Sequence, residues 1–251
     1  MIPEKYRARE SMDSSGKFAR TIVIPARNEA LRIGPTLEDY LNHFGADTEI
    51  IVVMNQCDDG TGDVLASFEK PNLVVVDKPR IKGKGAAVIE GFRVANADTV
   101  AFVDADGATS AHELERLASL LGNNDAIIGS RWIDPTMLIQ QQSYLRRLTS
   151  RVFNILVRTL LRLPFRDTQC GAKVFRKEAL DKILCSLGTT NMAFDVELLY
   201  LLHRNGARVV ETPTVWKSMP DSTIHMWAVA PAMLLELFRI KWKYRDSHRP
   251  C

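Results

Sequence analysis

Short apolar runs alternate with helical patterns over residues 20–130, and this alternation constrains the fold more than any other feature of the 251-residue sequence. The runs have the length and continuity of buried strands, and the segments between them carry apolar residues at helical spacing. Such runs lie at 21–24, 49–54, 73–76, 99–103 and 125–128. Repeated strand–helix units form a mostly parallel sheet with flanking helices. The sequence therefore predicts a doubly wound α/β fold that binds ligands at the carboxyl ends of its strands.

Beyond residue 134 the alternation gives way to longer helical patterns. The later elements predicted are a helix at 139–163, a strand near 172–175, two helices ending near 185 and 205, a strand at 208–210 and a final amphipathic helix. No repeat or linker interrupts the chain, and its 46% hydrophobic content is enough to bury a core. We therefore predict one domain at 20–225, an extension at 1–19, and a basic amphipathic helix and tail at 226–251.

The composition excludes several classes of protein. A formal net charge of +3 and a pI near 8.7 are too mild to indicate a nucleic-acid-binding protein. Four cysteines without a Cys-x-x-Cys pair argue against a zinc ribbon, and we interpret them as free thiols in a reducing compartment. The first 20 residues lack the apolar core of a signal peptide, and the apolar stretch 226–240 is shorter than a bilayer span. We therefore expect a cytoplasmic protein without a transmembrane helix.

Polar clusters follow three of the predicted strands, at residues 26–29, 55–61 and 104–106. In the last cluster, alternation along an extended segment points the carboxylates of Asp104 and Asp106 to the same side. Two such oxygen ligands suit Mg²⁺ or Mn²⁺ held jointly with a diphosphate. A turn with helix-capping aspartates is the alternative, and the convergence of three strand ends favours the metal site.

The stretch 140–166 carries six arginines and no acidic residue. Four of them share one helical face: Arg147, Arg151, Arg158 and Arg162. A solvated helix normally intersperses glutamates, so the pattern favours an anionic partner over a simple basic surface. A phosphate-bearing acceptor and an anionic lipid surface are the two alternatives, and each basic side chain contributes about 1 kcal/mol at such a surface. Nucleic acid is disfavoured because exposed aromatics do not interleave with the arginines.

Two further motifs carry weaker signals. Residues 82–85, Lys-Gly-Lys-Gly, could bring a lysine and backbone N–H groups to a phosphate, but they lack P-loop spacing and equally fit a flexible solvated turn. Asp195 begins a helix, where a carboxylate is either stabilised by the helix dipole or used as a general base.

Six motifs, taken in order, resemble the inverting GT-A glycosyltransferases of family 2 that make polyprenyl-phosphate sugars. The motifs lie at 21–29, 82–85, 104–109, 129–131, 166–171 and 194–200. Among these enzymes the sequence is more similar to the dolichyl-phosphate β-glucosyltransferases than to the sister mannosyltransferases. The resemblance implies a GT-A fold with an acceptor-side helical elaboration. It also implies metal-dependent, inverting transfer of glucose or mannose from UDP-glucose or GDP-mannose to a polyprenyl phosphate.

The resemblance also assigns roles to residues. Those that would line the nucleotide are Pro25, Ala26, Arg27, Glu29, Asn55, Lys84 and Ala105. Asp104 would face the ribose or sugar, and Asp106 would bind the metal and diphosphate. Arg131 would meet the donor diphosphate or the acceptor phosphate, and Arg147 and Ser150 would help to hold the acceptor phosphate. Those that would frame the sugar pocket are Asp167, Gln169, Gly171, Asp195 and Glu197. The residues implied to be catalytic are Asp104, Asp106, Arg131 and Asp195.

The sequence departs from these relatives in three places. Met54 and Asn55 stand where acidic residues usually meet the nucleoside, which leaves the base undetermined. Ala108 replaces a metal-contacting glutamine found in mannosyltransferase relatives. In the loop before the last helix, only His225 can supply the basic contact that relatives take from a lysine.

Two alternative functions stay open at this point. In one, the acceptor is a sugar hydroxyl and Asp195 acts as general base. In the other, the chain binds nucleotide sugars without turnover, which the pair Asp104 and Asp106 disfavours. The helix at 226–243 could lie on the cytosolic face of an anionic membrane, or pack on the core or on a second subunit. The sequence leaves the oligomeric state open and predicts no nucleic-acid partner.

Overall fold

The computed structural model describes the backbone of residues 18–138, 144–217 and 226–245, and their side chains except at 135, 144–147 and 226–231. The strands are β1 (Arg20–Ala26), β2 (Thr48–Met54), β3 (Leu73–Asp77), β4 (Thr99–Phe102), β5 (Ala126–Ser130), β6 (Lys173–Arg176) and β7 (Val209–Pro213). The helices are α1 (Ile33–His43), α2 (Thr61–Ala66), α3 (Lys84–Val94), α4 (Ala111–Ser119), α5 (Tyr144–Leu161), α6 (Lys177–Leu184), α7 (Phe194–Arg204) and α8 (Met226–Lys243). A 3-10 turn spans Pro135–Met137.

The strands form one sheet in the order β3-β2-β1-β4-β6-β5-β7. Strands β1 to β4 run parallel, and β5 pairs in parallel with β7. Only β6, inserted between β4 and β5, is antiparallel to its neighbours within the described sheet. The predicted mostly parallel α/β sheet is therefore confirmed. Because β6 starts opposite Phe102, where β4 ends, the chain entering β6 passes beside the cluster that follows β4.

The core divides into two apolar layers, one on each face of the sheet. Strand residues alternate between the layers, as Ile22 and Val23 do in β1, because successive side chains of a strand point to opposite faces. Helices α1 and α4 cover the Ile22 layer, whereas α3, α5, α6, α7 and α8 cover the Val23 layer. Helix α3 lies so close to β1 that a Cβ at Gly91 would overlap Val23. The doubly wound packing holds the carboxyl ends of β1, β2 and β4 at one edge.

Over its described side chains, which begin at 232, helix α8 packs on the body of the protein through one side. Met233, Leu237 and Ile240 are buried in the Val23 layer, whereas Phe238 and Trp242 are exposed. In the described parts of the chain, no helix combines the length and apolarity needed to cross a bilayer.

The cysteines differ from the expectation of four free thiols. Cys57 and Cys170 are free, but Cys185 is disulfide-bonded, so the expectation is wrong for Cys185. Spacing along a sequence does not show which thiols the fold brings within bonding distance.

Candidate active site

The loops that follow β1 and β2 are tied to each other. The Asn28 side chain donates to Asp58 Oδ1 at 2.5 Å and accepts from the Asp58 backbone N–H at 3.0 Å. The backbone N–H of Glu29 donates to Thr61 Oγ1 at 2.8 Å. Asn28 has a φ of 56°, in the left-handed region that asparagine tolerates better than most residues. Two of the polar clusters predicted at strand ends therefore form one connected rim.

Asp104, at the end of β4, is held by an ion pair and by a close backbone. Its Oδ1 lies 2.7 Å from Lys84 Nζ, and the same ammonium is 3.5 Å from Asp195 Oδ2. A Cβ at Gly171 would overlap the Asp104 carboxylate, so only glycine fits there. Burial alone would raise the pKa of Asp104, but Lys84, Lys173 and Arg131 together outweigh it and the net shift is downward. The structure thus brings together four of the residues that the sequence assigned to the site.

Lys173 is a member of this group that the sequence analysis missed. It is fully buried at the start of β6, and its Nζ donates to Asp195 Oδ1 at 2.6 Å and to the Cys170 carbonyl at 2.5 Å. Its ammonium also lies 5.1 Å from the centre of the Phe102 ring. The available signal was a lysine between the apolar residues Ala172 and Val174. With Lys84 on one oxygen and Lys173 on the other, Asp195 has both carboxylate oxygens engaged.

Asp106 and Glu29 are two carboxyl groups whose pKa is raised in the folded protein. Asp106 Oδ1 accepts from the Ala108 N–H at 3.0 Å, and burial together with the charge of Asp104 raises its pKa. Burial raises the pKa of Glu29 to about 7, even though Arg32 donates to it at 2.7 Å and opposes the shift. Asp104 and Asp106 add to that shift. Burial is therefore the main cause of both shifts, and sequence reasoning missed Arg32.

The donor set fits a divalent cation shared with a substrate. Asp106 Oδ2 makes no hydrogen bond or ion pair with the part of the chain that is described, and carboxylate oxygens are the ligands that Mg²⁺ prefers. Within residues 18–138, 144–217 and 226–245, no cluster of three or more histidine, cysteine or acidic side chains forms a complete metal site. Asp106, with Asp104 beside it, would thus supply part of the coordination, and diphosphate oxygens could supply the rest.

The glycine turn before α3 packs closely against loop 188–190. Gly83 has a φ of 95°, which glycine adopts without strain, and its carbonyl accepts from Asn55 Nδ2 at 3.3 Å. A Cβ at Gly83 would overlap the Thr190 carbonyl, and one at Gly85 would overlap Thr189. Loop 188–190 therefore backs the turn and orients Lys84, and a phosphate contact by residues 82–85 stays a prediction.

Arg131, after β5, is fixed by a carboxylate with no access to solvent. It donates to Asp167 through Nε at 2.7 Å and Nη2 at 2.9 Å, and its backbone N–H adds a bond of 3.0 Å. Although burial opposes the shift, Arg131 lowers the pKa of Asp167, so the pair stays charged. The guanidinium lies 5.8 Å from the Trp132 ring centre and 5.4 Å from that of Trp216. Gln169 donates its backbone N–H to Asp167 at 3.2 Å.

Helix α5 is joined to the segment that carries Asp167. The Asn154 amide donates to the Ser150 carbonyl at 3.0 Å and accepts two bonds from Thr168 at 3.0 and 3.1 Å. Arg151 is exposed and lies 5.3 Å from the Trp132 ring, which Arg131 also contacts. The start of α5 therefore borders the Arg131 site. The side chain of Arg147 and all of His225 lie outside the described residues.

The remaining assigned residues take different positions. Pro25 and Ala26 end β1, Arg27 is exposed beyond them, and the Ala105 carbonyl accepts from Thr36 Oγ1 at 3.0 Å. Among the described residues, the partners of Glu197 are Gly188, Thr189, Lys243 and Tyr244, so it has no direct contact with Asp104 or Asp106.

Comparison with known proteins gives matches over most of the chain. The family described as "Glycosyl transferase family 2" matches residues 21–184. A dolichyl-phosphate β-glucosyltransferase of Dictyostelium discoideum is 28% identical over 242 residues, covering 89% of this chain and 74% of that protein. Its counterpart in Drosophila melanogaster is 30% identical over 253 residues, covering 93% and 78%.

Two solved structures share the fold. Glucosyl-3-phosphoglycerate synthase of Mycobacterium tuberculosis, bound to UDP, superposes with a TM-score of 0.68 at 16% identity, covering 90% of this chain and 80% of that one. The mannosyltransferase PcManGT of Pyrobaculum calidifontis, bound to GDP-mannose and Mn²⁺, gives 0.64 at 20% identity, covering 93% and 66%. These similarities confirm the expected GT-A fold.

Proposed function

Because this chain belongs to glycosyl transferase family 2 and is a glycosyltransferase, we propose that it transfers a hexose from a nucleotide sugar to a polyprenyl phosphate, with inversion. The sugar is glucose or mannose, and the donor is UDP-glucose or GDP-mannose. Relatives named dolichyl-phosphate β-glucosyltransferase support glucose and the phosphate acceptor, whereas the similar structures hold either UDP or GDP-mannose.

One observation carries the proposal: a pair of carboxylates and an arginine lie at strand ends of the same sheet. The arginine is held by a buried carboxylate. Asp104 and Asp106 follow β4, and Arg131 follows β5. The two carboxylates suit a diphosphate that brings a divalent cation. The planar guanidinium of Arg131 suits a phosphate monoester, whose oxygens accept its hydrogen bonds. The donor and the acceptor therefore each have matching chemistry at this edge.

The acceptor needs no proton removed. A phosphate monoester is at least singly ionised at neutral pH, so it can attack the sugar directly once it is positioned. Asp195, whose two oxygens contact Lys84 and Lys173, serves in this proposal to hold both ammonium groups in place. The hydroxyl-acceptor alternative would require Asp195 to release one of these partners before it could act as a base.

The leaving diphosphate needs positive charge as the bond to the sugar breaks. Lys84, fixed beside Asp104, lies where it can approach that diphosphate. Mg²⁺ or Mn²⁺, held by Asp106 with Asp104, would supply Lewis acidity at the same oxygens. Asn55, buried between the ends of β1 and β2, would face the nucleoside in place of the acidic residue of relatives.

A peripheral contact with an anionic membrane completes the proposal. The outer faces of α5 and α8 expose eight large apolar side chains: Leu148, Val152, Ile155, Leu156, Leu234, Leu235, Phe238 and Trp242. The same helices and the turn after each also expose basic residues: Arg151, Arg158, Arg162, Arg239, Lys241 and Arg245. An apolar face with basic side chains is typical of helices that lie in a membrane interface. The polyprenyl chain would enter from that interface, next to the start of α5.

The test is a transfer assay with a polyprenyl phosphate and UDP-glucose, GDP-mannose or UDP-N-acetylglucosamine, with Mn²⁺ or EDTA. We expect one donor to give a β-linked product that depends on metal and forms faster when the acceptor is in anionic rather than neutral vesicles. Asp106→Ala should lower the rate at least about a thousandfold, since the metal contributes several kcal/mol. Asp63→Ala, on the exposed face of α2, is the matched control.

Other outcomes would replace the proposal. Transfer only to sugar hydroxyls, abolished by Asp195→Asn, would establish the hydroxyl-acceptor function. Nucleotide-sugar binding without any turnover or donor hydrolysis would indicate a binding module. Equal rates in anionic and neutral vesicles would remove the membrane contact from the proposal.

A further inference from the structure

Glu197 is a buried carboxylate that the proposed transfer reaction does not use directly. It lies in the first turn of α7, two residues after Asp195, and only 1% of it is exposed. Both oxygens are fully engaged, one by backbone N–H groups of a loop and the other by the end of α8. Four hydrogen bonds to one buried side chain, from two separate segments, indicate a structural junction rather than a substrate contact.

The first pair of bonds fixes loop 188–190. Glu197 Oε2 accepts from the N–H groups of Gly188 at 2.9 Å and Thr189 at 2.7 Å. The second pair comes from α8 and the residue after it, where Lys243 Nζ lies 3.1 Å and Tyr244 Oη lies 2.8 Å from Oε1. Although burial opposes the shift, these bonds lower the pKa of Glu197, so the group is charged at neutral pH.

Loop 188–190 in turn fixes the glycine turn. The Thr190 carbonyl accepts from the Ala86 N–H at 3.3 Å. The Thr189 and Thr190 carbonyls also occupy the space where side chains at Gly85 and Gly83 would be. Lys84 stands between these two glycines as the first residue of α3, so the loop sets the direction in which Lys84 leaves the backbone.

We propose that Glu197 is a positioning residue: through loop 188–190 it holds Lys84 against Asp104 and Asp195, and it links this arrangement to the C-terminal helix α8. The inference rests on the proposed function only where it predicts a catalytic effect. Its structural part concerns Lys84 in the protein without substrate. Because α8 supplies two of the four bonds, any displacement of α8 reaches Lys84 along this path.

The test compares Glu197→Gln with Glu113→Gln. Glu113 is an equally buried glutamate that accepts from Thr214, Val215 and Arg116 on the other face of the sheet, so its variant controls for the loss of a buried carboxylate. Hydrogen–deuterium exchange of a peptide covering 82–90 is measured without substrate. We expect exchange at least about tenfold faster in Glu197→Gln, a smaller increase in Tyr244→Phe, and none in Glu113→Gln.

The catalytic part uses a double-mutant cycle with Lys84→Met. If Glu197 acts through Lys84, Glu197→Gln lowers kcat/KM about tenfold or more in the wild type but less than about twofold when Lys84 is already Met. Additive effects, or exchange in 82–90 that matches the Glu113→Gln control, would overturn the inference. If the wild-type protein transfers no sugar at all, the proposed function fails, and the exchange measurement still decides the role of Glu197.

Discussion

The two halves of the candidate site are built in different ways. On the proposed donor side, Glu29, Asn55 and Asp106 sit in loops that directly follow parallel strands, and their partners are surface loops or the turn before α3. On the side proposed to hold the acceptor and the sugar, Arg131 pairs with Asp167 and Asp195 pairs with Lys173, and neither partner has access to solvent. The order of the strands alone can bring ligand-binding residues to one edge of the sheet. Charges buried inside a fold, in contrast, require partners from distant parts of the chain.

The largest expected effect compares the same substitution in a buried and in a half-exposed ion pair. Lys173→Met removes the buried partner of Asp195 and should lower the free energy of unfolding by about 3 to 5 kcal/mol. Lys78→Met, which breaks a half-exposed pair between Glu90 and the residue directly after β3, should cost at most about 1 kcal/mol. Urea unfolding of both variants measures the difference. Equal losses would show that the contrast between buried and surface pairing does not hold.

An intermediate effect concerns pH on the donor side. Burial raises the pKa of Glu29 from 4.5 to about 7, so the folded state holds a proton that the unfolded state releases above pH 4.5. Stability should therefore fall as pH rises from about 4.5 to 7, by at most on the order of 3 kcal/mol. Glu29→Gln should flatten this part of the stability profile, measured by urea unfolding in EDTA. A variant profile parallel to that of the wild type would contradict the assignment to Glu29.

The smallest effect separates the two halves by kinetics. Arg131→Lys keeps the charge but loses the planar fork that binds Asp167 through two nitrogens. We expect the KM for the phosphate acceptor to rise about tenfold, with the KM for the donor changed less than about twofold. Initial rates with each substrate varied in turn supply both values. A rise confined to the donor KM would move Arg131 to the donor side.

Much of the donor side could be predicted from the sequence. The pair Asp104 and Asp106 follows an apolar strand directly, so local pattern and strand alternation were enough to place both in one cluster. Asn28 and Asp58, which tie two loops together, lie in predicted polar clusters, but their pairing required the parallel register of β1 and β2.

The acceptor side could be predicted only in part. Resemblance to a family pointed to Arg131, Asp167 and Asp195, yet no local pattern pairs Asp195 with Lys173, 22 residues away. Resemblance also grouped Glu197 with the sugar pocket, and that role stays a prediction. The partners observed for Glu197 lie in loop 188–190 and at the end of α8.

The sequence by itself determined the alternation of strands and helices, the family, and the polar clusters at strand ends, because each depends on the order of neighbouring residues. Only the tertiary structure decided that β6 runs antiparallel to its neighbours and that Lys173 is buried against Asp195. It alone also decided the four bonds that anchor Glu197. The physical reason is that a buried charge is stable only beside its partner, and in this fold those partners come from other elements of the chain.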